Sequence, residues 1–201
     1  MIPAPPPSAR AATTPSGTGI TVWFTGLPGA GKSTLAAGCA ARLLADGRAV
    51  VVLDGDELRA GLNRDLGFSP EDRAENVRRI GEVARLVAGA GVVALVPVVS
   101  PYRADRDRVR QHHAGAGLAF VEVHVATSRA VCEARDPKDL YRRARSGALA
   151  GLTGVDAPYE PPTGPELRVT LDAEADLGGA VASVLALVSA ADRSGVPTAS
   201  T

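Results

Sequence analysis

The chain has 201 residues, 45% of them hydrophobic, and its 22 Lys and Arg balance 22 Asp and Glu. That length and apolar content suffice for one sizeable core, so a single soluble domain is expected. The zero net charge argues against a duplex nucleic-acid binder, although a local arginine cluster can still hold a small anion.

Residues 1–18 are rich in Pro, Ala, Ser and Thr and read as a poorly ordered tail, as do residues 192–201, which leaves a folded unit of 19–191. The opening MIPAPPPSAR places prolines where a signal peptide needs an apolar stretch, and no window approaches the roughly 18 apolar residues of a membrane span. Cys39 and Cys132 match no metal-ligand spacing and sit in apolar segments, so they read as reduced core residues of a cytoplasmic protein.

Within the unit, ITVWFT, AVVVLD, VVALVPVV, AFVEVHV and LRVTL are strand candidates separated by helix-length segments. That alternation predicts an α/β fold, a parallel five-stranded sheet covered by helices on both faces. The first strand runs into Gly26-x-x-x-x-Gly31-Lys32-Ser33, and a helix of small and apolar residues (34–45) follows. Strand, correctly spaced glycines and helix together specify a phosphate-binding P-loop. The backbone at Gly26, Gly29, Ala30, Gly31, Ser33 and Thr34 is then expected to cradle a nucleoside triphosphate, with Lys32 on its terminal phosphates and the Ser33 hydroxyl on Mg²⁺.

The second strand ends in LDGDELR, which puts Asp54 and Asp56 at the carboxyl edge of the sheet where ligands of open α/β folds bind. Asp54 reads as an outer-sphere metal ligand and Asp56 as the group that orders that shell or takes a proton from an attacking hydroxyl. A turn followed by a helix N-cap is the alternative for this segment.

The clearest helix covers 71–89, with Val77, Ile80, Gly81, Ala84, Val87 and Ala88 on one face and Ser69 and Pro70 forming its cap and first turn. Arg73 and Asn76 share a face near its start, and Arg59 follows Asp56. His112 and His113 read as a solvated helix end. Residues 135–165 break the alternation with a short basic helix and a Gly/Pro-rich loop, the signature of a lid, placed at about 135–160.

The blocks DGDELRAGLNRDLGFSPEDRAENVRRIGEVARL, VVSPYRADRDRVR and EVHVATSRAVCEARDPKDLYRRARSGALAGLTGVDAPYEPP resemble the adenylylsulfate kinase family from about Thr21 to Leu171. The resemblance implies a nucleoside-kinase-like P-loop fold, Mg-ATP as donor, and adenosine 5′-phosphosulfate phosphorylated on its 3′-hydroxyl in sulfate assimilation. It also implies a possible homodimer. By the same resemblance, Asp56 and Arg59 contact the acceptor, Arg73 and Asn76 hold its phosphosulfate and ribose, and Phe68 stacks on its adenine. Val99, Ser100 and Gly151 line that pocket, Lys138 reaches both substrates, and Arg135 lies over the ATP adenine. Ser100 carries two readings, a phosphate-accepting serine of the SPYR motif and a helix N-cap ahead of a proline.

Three departures from the family pattern stand out. Pro28 replaces a serine, Asp139 replaces a glycine beside Lys138, and Leu152 replaces the second aromatic expected over the acceptor adenine. They leave room for a related kinase acting on another small hydroxylated metabolite. A nucleotide-binding module without catalysis is a third reading, disfavoured by the survival of Asp54 and Asp56 beside Lys32.

Overall fold

All six residues of the ITVWFT run are buried, as a strand covered on both faces requires. The computed structural model describes residues 18–172 and 177–193. In chain order it contains β1 (Ile20–Thr25), α1 (Lys32–Ala45), β2 (Val50–Val52), α2 (Gly55–Ala60), α3 (Pro70–Gly89) and β3 (Val93–Pro97). There follow α4 (Arg103–Gly115), β4 (Ala119–Val125), α5 (Arg129–Arg135), α6 (Leu140–Arg145), β5 (Leu167–Val169) and α7 (Leu177–Arg193). The five strands are parallel in the order β2-β3-β1-β4-β5, with Val22 of β1 in register with Leu95 of β3 and Val121 of β4.

Strand alternation divides the core in two. Ile20, Val22 and Phe24, with Leu95 and Val123, face α1 and α7, while Trp23, Ala94 and Val96 meet Val77, Ile80 and Ala84 of α3 and Val109 of α4. The sheet is therefore the middle layer of a three-layer sandwich. Gly81 lets α4 approach α3, since a Cβ there would stand 2.7 Å from Val109.

The α3 periodicity holds. Ser69 accepts the Asp72 N–H at 3.1 Å and Pro70 opens the helix. Both cysteines are buried and unpaired.

Two expectations change. His113 is fully buried: Nδ1 donates to the Val109 carbonyl at 2.8 Å, which leaves Nε2 to accept from Thr21 at 2.9 Å. Burial lowers its pKa, so it is a neutral core residue, while His112 remains exposed beside Glu82. The expected limits 19–191 are also too tight. α7 runs on to Arg193, Asp192 pairs with Arg48, and the Thr18 N–H donates to Asp192 at 3.2 Å. Residues 1–17 and 194–201, the rest of the expected tails, lie outside the described residues.

Candidate active site

β1 ends against the phosphate loop, and α1 begins at Lys32, two residues before its expected start. Gly31 sits in the left-handed region (φ 98°), and no side chain caps the helix. Its first N–H groups and partial positive charge are thus left to an anion. Gly26 is constrained differently, because a Cβ there would lie 2.4 Å from the Val125 carbonyl oxygen.

Lys32 curls back over the loop, and its Nζ donates to the carbonyls of Gly26 at 3.0 Å and Leu27 at 2.8 Å. Burial pulls its pKa down to about 8, against partial compensation from Cys132 and Asp56. Two of the expected loop contacts turn elsewhere. The Ala30 N–H is spent on Leu27, its side chain is in the core, and its carbonyl accepts from Thr127. Gly26 offers the loop its carbonyl and does not line the cleft.

The Ser33 hydroxyl donates to Asp54 Oδ2 at 2.8 Å, while Asp54 Oδ1 accepts the Asp56 N–H at 2.9 Å. Asp54 therefore serves as both the N-cap of α2, the alternative read for this segment, and the partner of the phosphate-loop hydroxyl. A hydroxyl and a carboxylate converging beside a polyphosphate cradle are hard oxygen donors that fit Mg²⁺, which keeps most of its ligands as water and phosphate. Among the described residues, no cluster of three or more His, Cys, Asp or Glu forms a separate metal cage.

The loop opens into a cleft of about 980 Å³. Gly29, Gly31, Lys32, Ser33, Thr34 and Arg135 line its donor end, and Asp54 and Asp56 its middle. Arg59, Phe68, Arg73, Asn76, Val99 and Ser100 line the other end, and Lys138, Gly151 and Leu152 reach it from the lid. Asp56 and Lys138 form an ion pair across the opening, both well exposed.

Phe68 is 64% exposed, and two guanidinium groups flank it, Arg59 at 4.5 Å and Arg73 at 5.6 Å from the ring centroid. Arg59 donates to the Leu66 and Gly67 carbonyls, and Arg73 to the carbonyls of Phe68 and Gly151 and the Thr153 hydroxyl. Among the described residues, neither has a carboxylate within ion-pairing distance. Burial lowers both pKa values, for Arg59 with added repulsion from Arg73. Asp56 and Asp72 act on Arg59, and Asp156 on Arg73, only without direct ion pairing, so the two guanidinium groups keep donors suited to an anion. Asn76 Oδ1 accepts from fully buried Asn63 at 3.0 Å, which leaves the Asn76 amide protons for a ligand.

Ser100 departs from the N-cap reading. Its φ is 40°, and α4 begins three residues later after Tyr102, which makes no side-chain cap. Its hydroxyl accepts from Trp23 Nε1 at 3.0 Å and donates to Thr25 Oγ1 at 3.1 Å, and only 3% of the residue is exposed. Leu152 lines the cleft and is at the same time 7% exposed and packed into the main core.

The segment expected to form a lid contains α6 and the loop up to residue 160. Asp136 accepts the N–H groups of Tyr141 and Arg142, and the Tyr141 hydroxyl donates to the Pro28 carbonyl at 2.9 Å, tying lid to phosphate loop. Asp139 adopts φ 54°, a conformation that explains why glycine suits this position. Its carboxylate pairs with Arg142 at 2.8 Å, while the neighbouring Lys138 pairs with Asp56.

A sequence profile described as "Adenylylsulphate kinase" matches residues 18–170 of the chain. The chain belongs to the adenylylsulfate kinase family. The adenylyl-sulfate kinase of Geotalea daltonii is 53% identical over 169 residues, 84% of this chain and 82% of that protein. The enzyme of Saccharomyces cerevisiae is 49% identical over 154 residues, 77% of this chain and 76% of that one. Among solved structures, the APS kinase of Mycobacterium tuberculosis in complex with AMPPNP and APS superposes with a TM-score of 0.83 at 47% identity. That match covers 86% of this chain and 99% of the other.

Sequence reasoning missed Asn63, Tyr141 and a buried pair, Arg106 with Glu122. Only the pair left a trace, since an acid inside the apolar run AFVEVHV needs a buried cation. His124, on the same strand, is pushed down to about 4 by burial and by Arg168 and Arg106, and it stays neutral against Tyr159.

Proposed function

We propose that this kinase transfers the γ-phosphate of Mg-ATP to the 3′-hydroxyl of adenosine 5′-phosphosulfate, with Asp56 facing the hydroxyl. The observation that carries the reading is the polarity of one cleft. A phosphate loop with an uncapped helix and Lys32 stands at one end, and at the other an exposed phenylalanine flanked by two guanidinium groups that, among the described residues, have no carboxylate within ion-pairing distance. A flat ring beside paired cations suits a base carrying an anionic tail.

The α1 N–H groups and Lys32 hold the triphosphate, and Arg135 covers its base. Ser33 and Asp54 would hold Mg²⁺, which when bound offsets charge on the phosphates. Arg59, Arg73 and Asn76 grip the phosphosulfate and ribose, Phe68 stacks on the adenine, and Val99, Ser100 and Gly151 close the pocket. The O–P bond to the ribose forms as the bond to the diphosphate's bridging oxygen breaks. ADP leaves, and the hydroxyl proton passes to the Asp56 carboxylate. Lys138, which pairs with Asp56, shifts to the phosphoryl group as the lid excludes water.

In this mechanism Ser100 positions rather than reacts, because its proton is committed to Thr25 and its oxygen to Trp23. Transfer between bound partners needs placement and charge stabilisation, not a protein nucleophile. The test is an acceptor panel of adenosine 5′-phosphosulfate, AMP and small polyols, assayed with Mg-ATP. Strong preference for the phosphosulfate is expected, and equal or better use of another acceptor would replace this reading with the broader metabolite kinase. A homodimer, suggested by family membership, is tested by light scattering of the purified protein.

A further inference from the structure

β4 turns Val121, Val123 and Val125 toward one core and places Glu122, only 5% exposed, on the opposite face. A carboxylate there requires a cation, and α4 supplies Arg106, whose side chain is 1% exposed and whose Nε donates to Glu122 Oε1 at 2.7 Å. That bond uses one edge of the guanidinium. Nη1 donates to the Ser100 carbonyl at 2.6 Å and Nη2 to the Glu160 carbonyl at 2.7 Å. One planar group thus joins three segments: the sheet, the turn after β3, and the far end of the lid.

The last two segments are stapled together elsewhere as well. The Glu160 N–H donates to the Pro101 carbonyl at 2.8 Å, and its carboxylate accepts the Arg103 N–H at 2.9 Å, standing in for the cap that Tyr102 does not provide. Tyr159 reaches the Thr25 hydroxyl at 3.1 Å, the same hydroxyl that receives the Ser100 proton. The lid is therefore fixed at one end to the phosphate loop through Tyr141 and at the other to the wall formed by Val99 and Ser100. Arg106 does not line the cleft.

We propose that Arg106 is a positioning residue for the acceptor: by holding the Ser100 and Glu160 carbonyls on one buried guanidinium, it sets the register between the acceptor wall and the far hinge of the lid. The inference rests on the acceptor assignment made above. Ser100, held at φ 40°, is where such restraint is needed, since nothing in its own backbone preference keeps it there. Lysine cannot substitute, because a single ammonium lacks the divergent fork that reaches both carbonyls while facing Glu122.

The test compares wild type, Arg106→Lys and Glu160→Ala in initial-rate assays, varying Mg-ATP and adenosine 5′-phosphosulfate separately, with thermal melts alongside. Arg106→Lys is expected to raise the acceptor KM about tenfold while the donor KM stays within about twofold, the loss of one or two hydrogen bonds on one side of the cleft. Glu160→Ala, at an exposed side chain, is expected to melt near wild type and raise the acceptor KM about threefold. A merely structural role would lower kcat with both KM values unmoved, and that result overturns the proposal. Should Arg106→Lys fail to fold, Glu122→Gln decides, since it keeps an acceptor for Arg106 Nε while removing the charge that anchors the guanidinium, and an unchanged acceptor KM overturns the proposal. A wild-type enzyme inert toward the phosphosulfate would overturn the acceptor assignment and this inference together, whereas an active wild type with unmoved variants overturns the Arg106 role alone.

Discussion

Lys32 is held charged in a buried loop with two carbonyls for company, and that placement makes donor binding proton-linked. Burial lowers its pKa from an ordinary 10.5 to about 8. A triphosphate against Nζ restores the charged form and so raises the value again. Between pH 7 and pH 9 the protonated fraction of the empty site drops from about nine-tenths to about one-tenth, so ATP affinity should fall about tenfold over that window. The terminal phosphate contributes no opposing change, having finished ionising near its second pKa of about 6.

At pH 8, binding should draw about half a proton from solution. Calorimetry in two buffers of different ionisation heat measures that uptake, and titrations at pH 7 and pH 9 measure the affinity ratio, with Lys32→Met as the control in which both effects vanish. The sign for stability follows from the same shift. Between pH 8 and 10.5 the unfolded chain binds more protons at this site than the folded one, so its contribution to stability rises with pH there. Below that window, holding the charge inside costs about 3 kcal/mol. ATP binding with no proton uptake and equal affinity at pH 7 and pH 9 would refute the placement of Lys32.

Other consequences are open to direct measurement. Lys32→Ala and Asp56→Ala should each abolish phosphoryl transfer while leaving the circular dichroism spectrum intact, and full activity in either would remove that residue from the mechanism. Phe68→Ala should leave the melting temperature nearly unchanged, since the ring is 64% exposed, yet raise the acceptor KM by about five- to 150-fold through loss of about 1–3 kcal/mol of base stacking. Asp139→Gly should relieve the left-handed backbone at φ 54° and stabilise the protein by about 0.5–1 kcal/mol, a rise of about 1–4 °C in Tm with turnover unchanged.

Local signals were the legible ones. β1 and its loop could be read because one short stretch holds an apolar run, the glycines that permit unusual backbone, and the start of a helix. Likewise, α3 announced itself by period, cap and proline. Strand edges were less clear: AVVVLD shortens to Val50–Val52 because Asp54 turns out of the strand to cap α2.

What stayed hidden was fixed by partners distant in sequence. His113 looked solvated because its helix carries charge around it, but a fully buried Thr21 lies 92 residues away to receive its ring. Ser100 followed by a proline carries the pattern of a cap, yet its hydroxyl is claimed by Trp23 and Thr25 across the sheet. Leu152 is a loop residue by sequence and a core residue by packing. The candidate site residues line one cleft apart from Gly26 and Ala30, whose role in the loop is internal.

The meeting of two ligands in that cleft is tested most directly by a crystal structure with a non-hydrolysable ATP analogue and adenosine 5′-phosphosulfate bound together. The ribose 3′-oxygen should lie about 3–3.5 Å from the γ-phosphorus, beside Asp56, with the adenine on Phe68. An acceptor seated away from Arg59 and Arg73, with its 3′-oxygen beyond reach of the terminal phosphate, would contradict it.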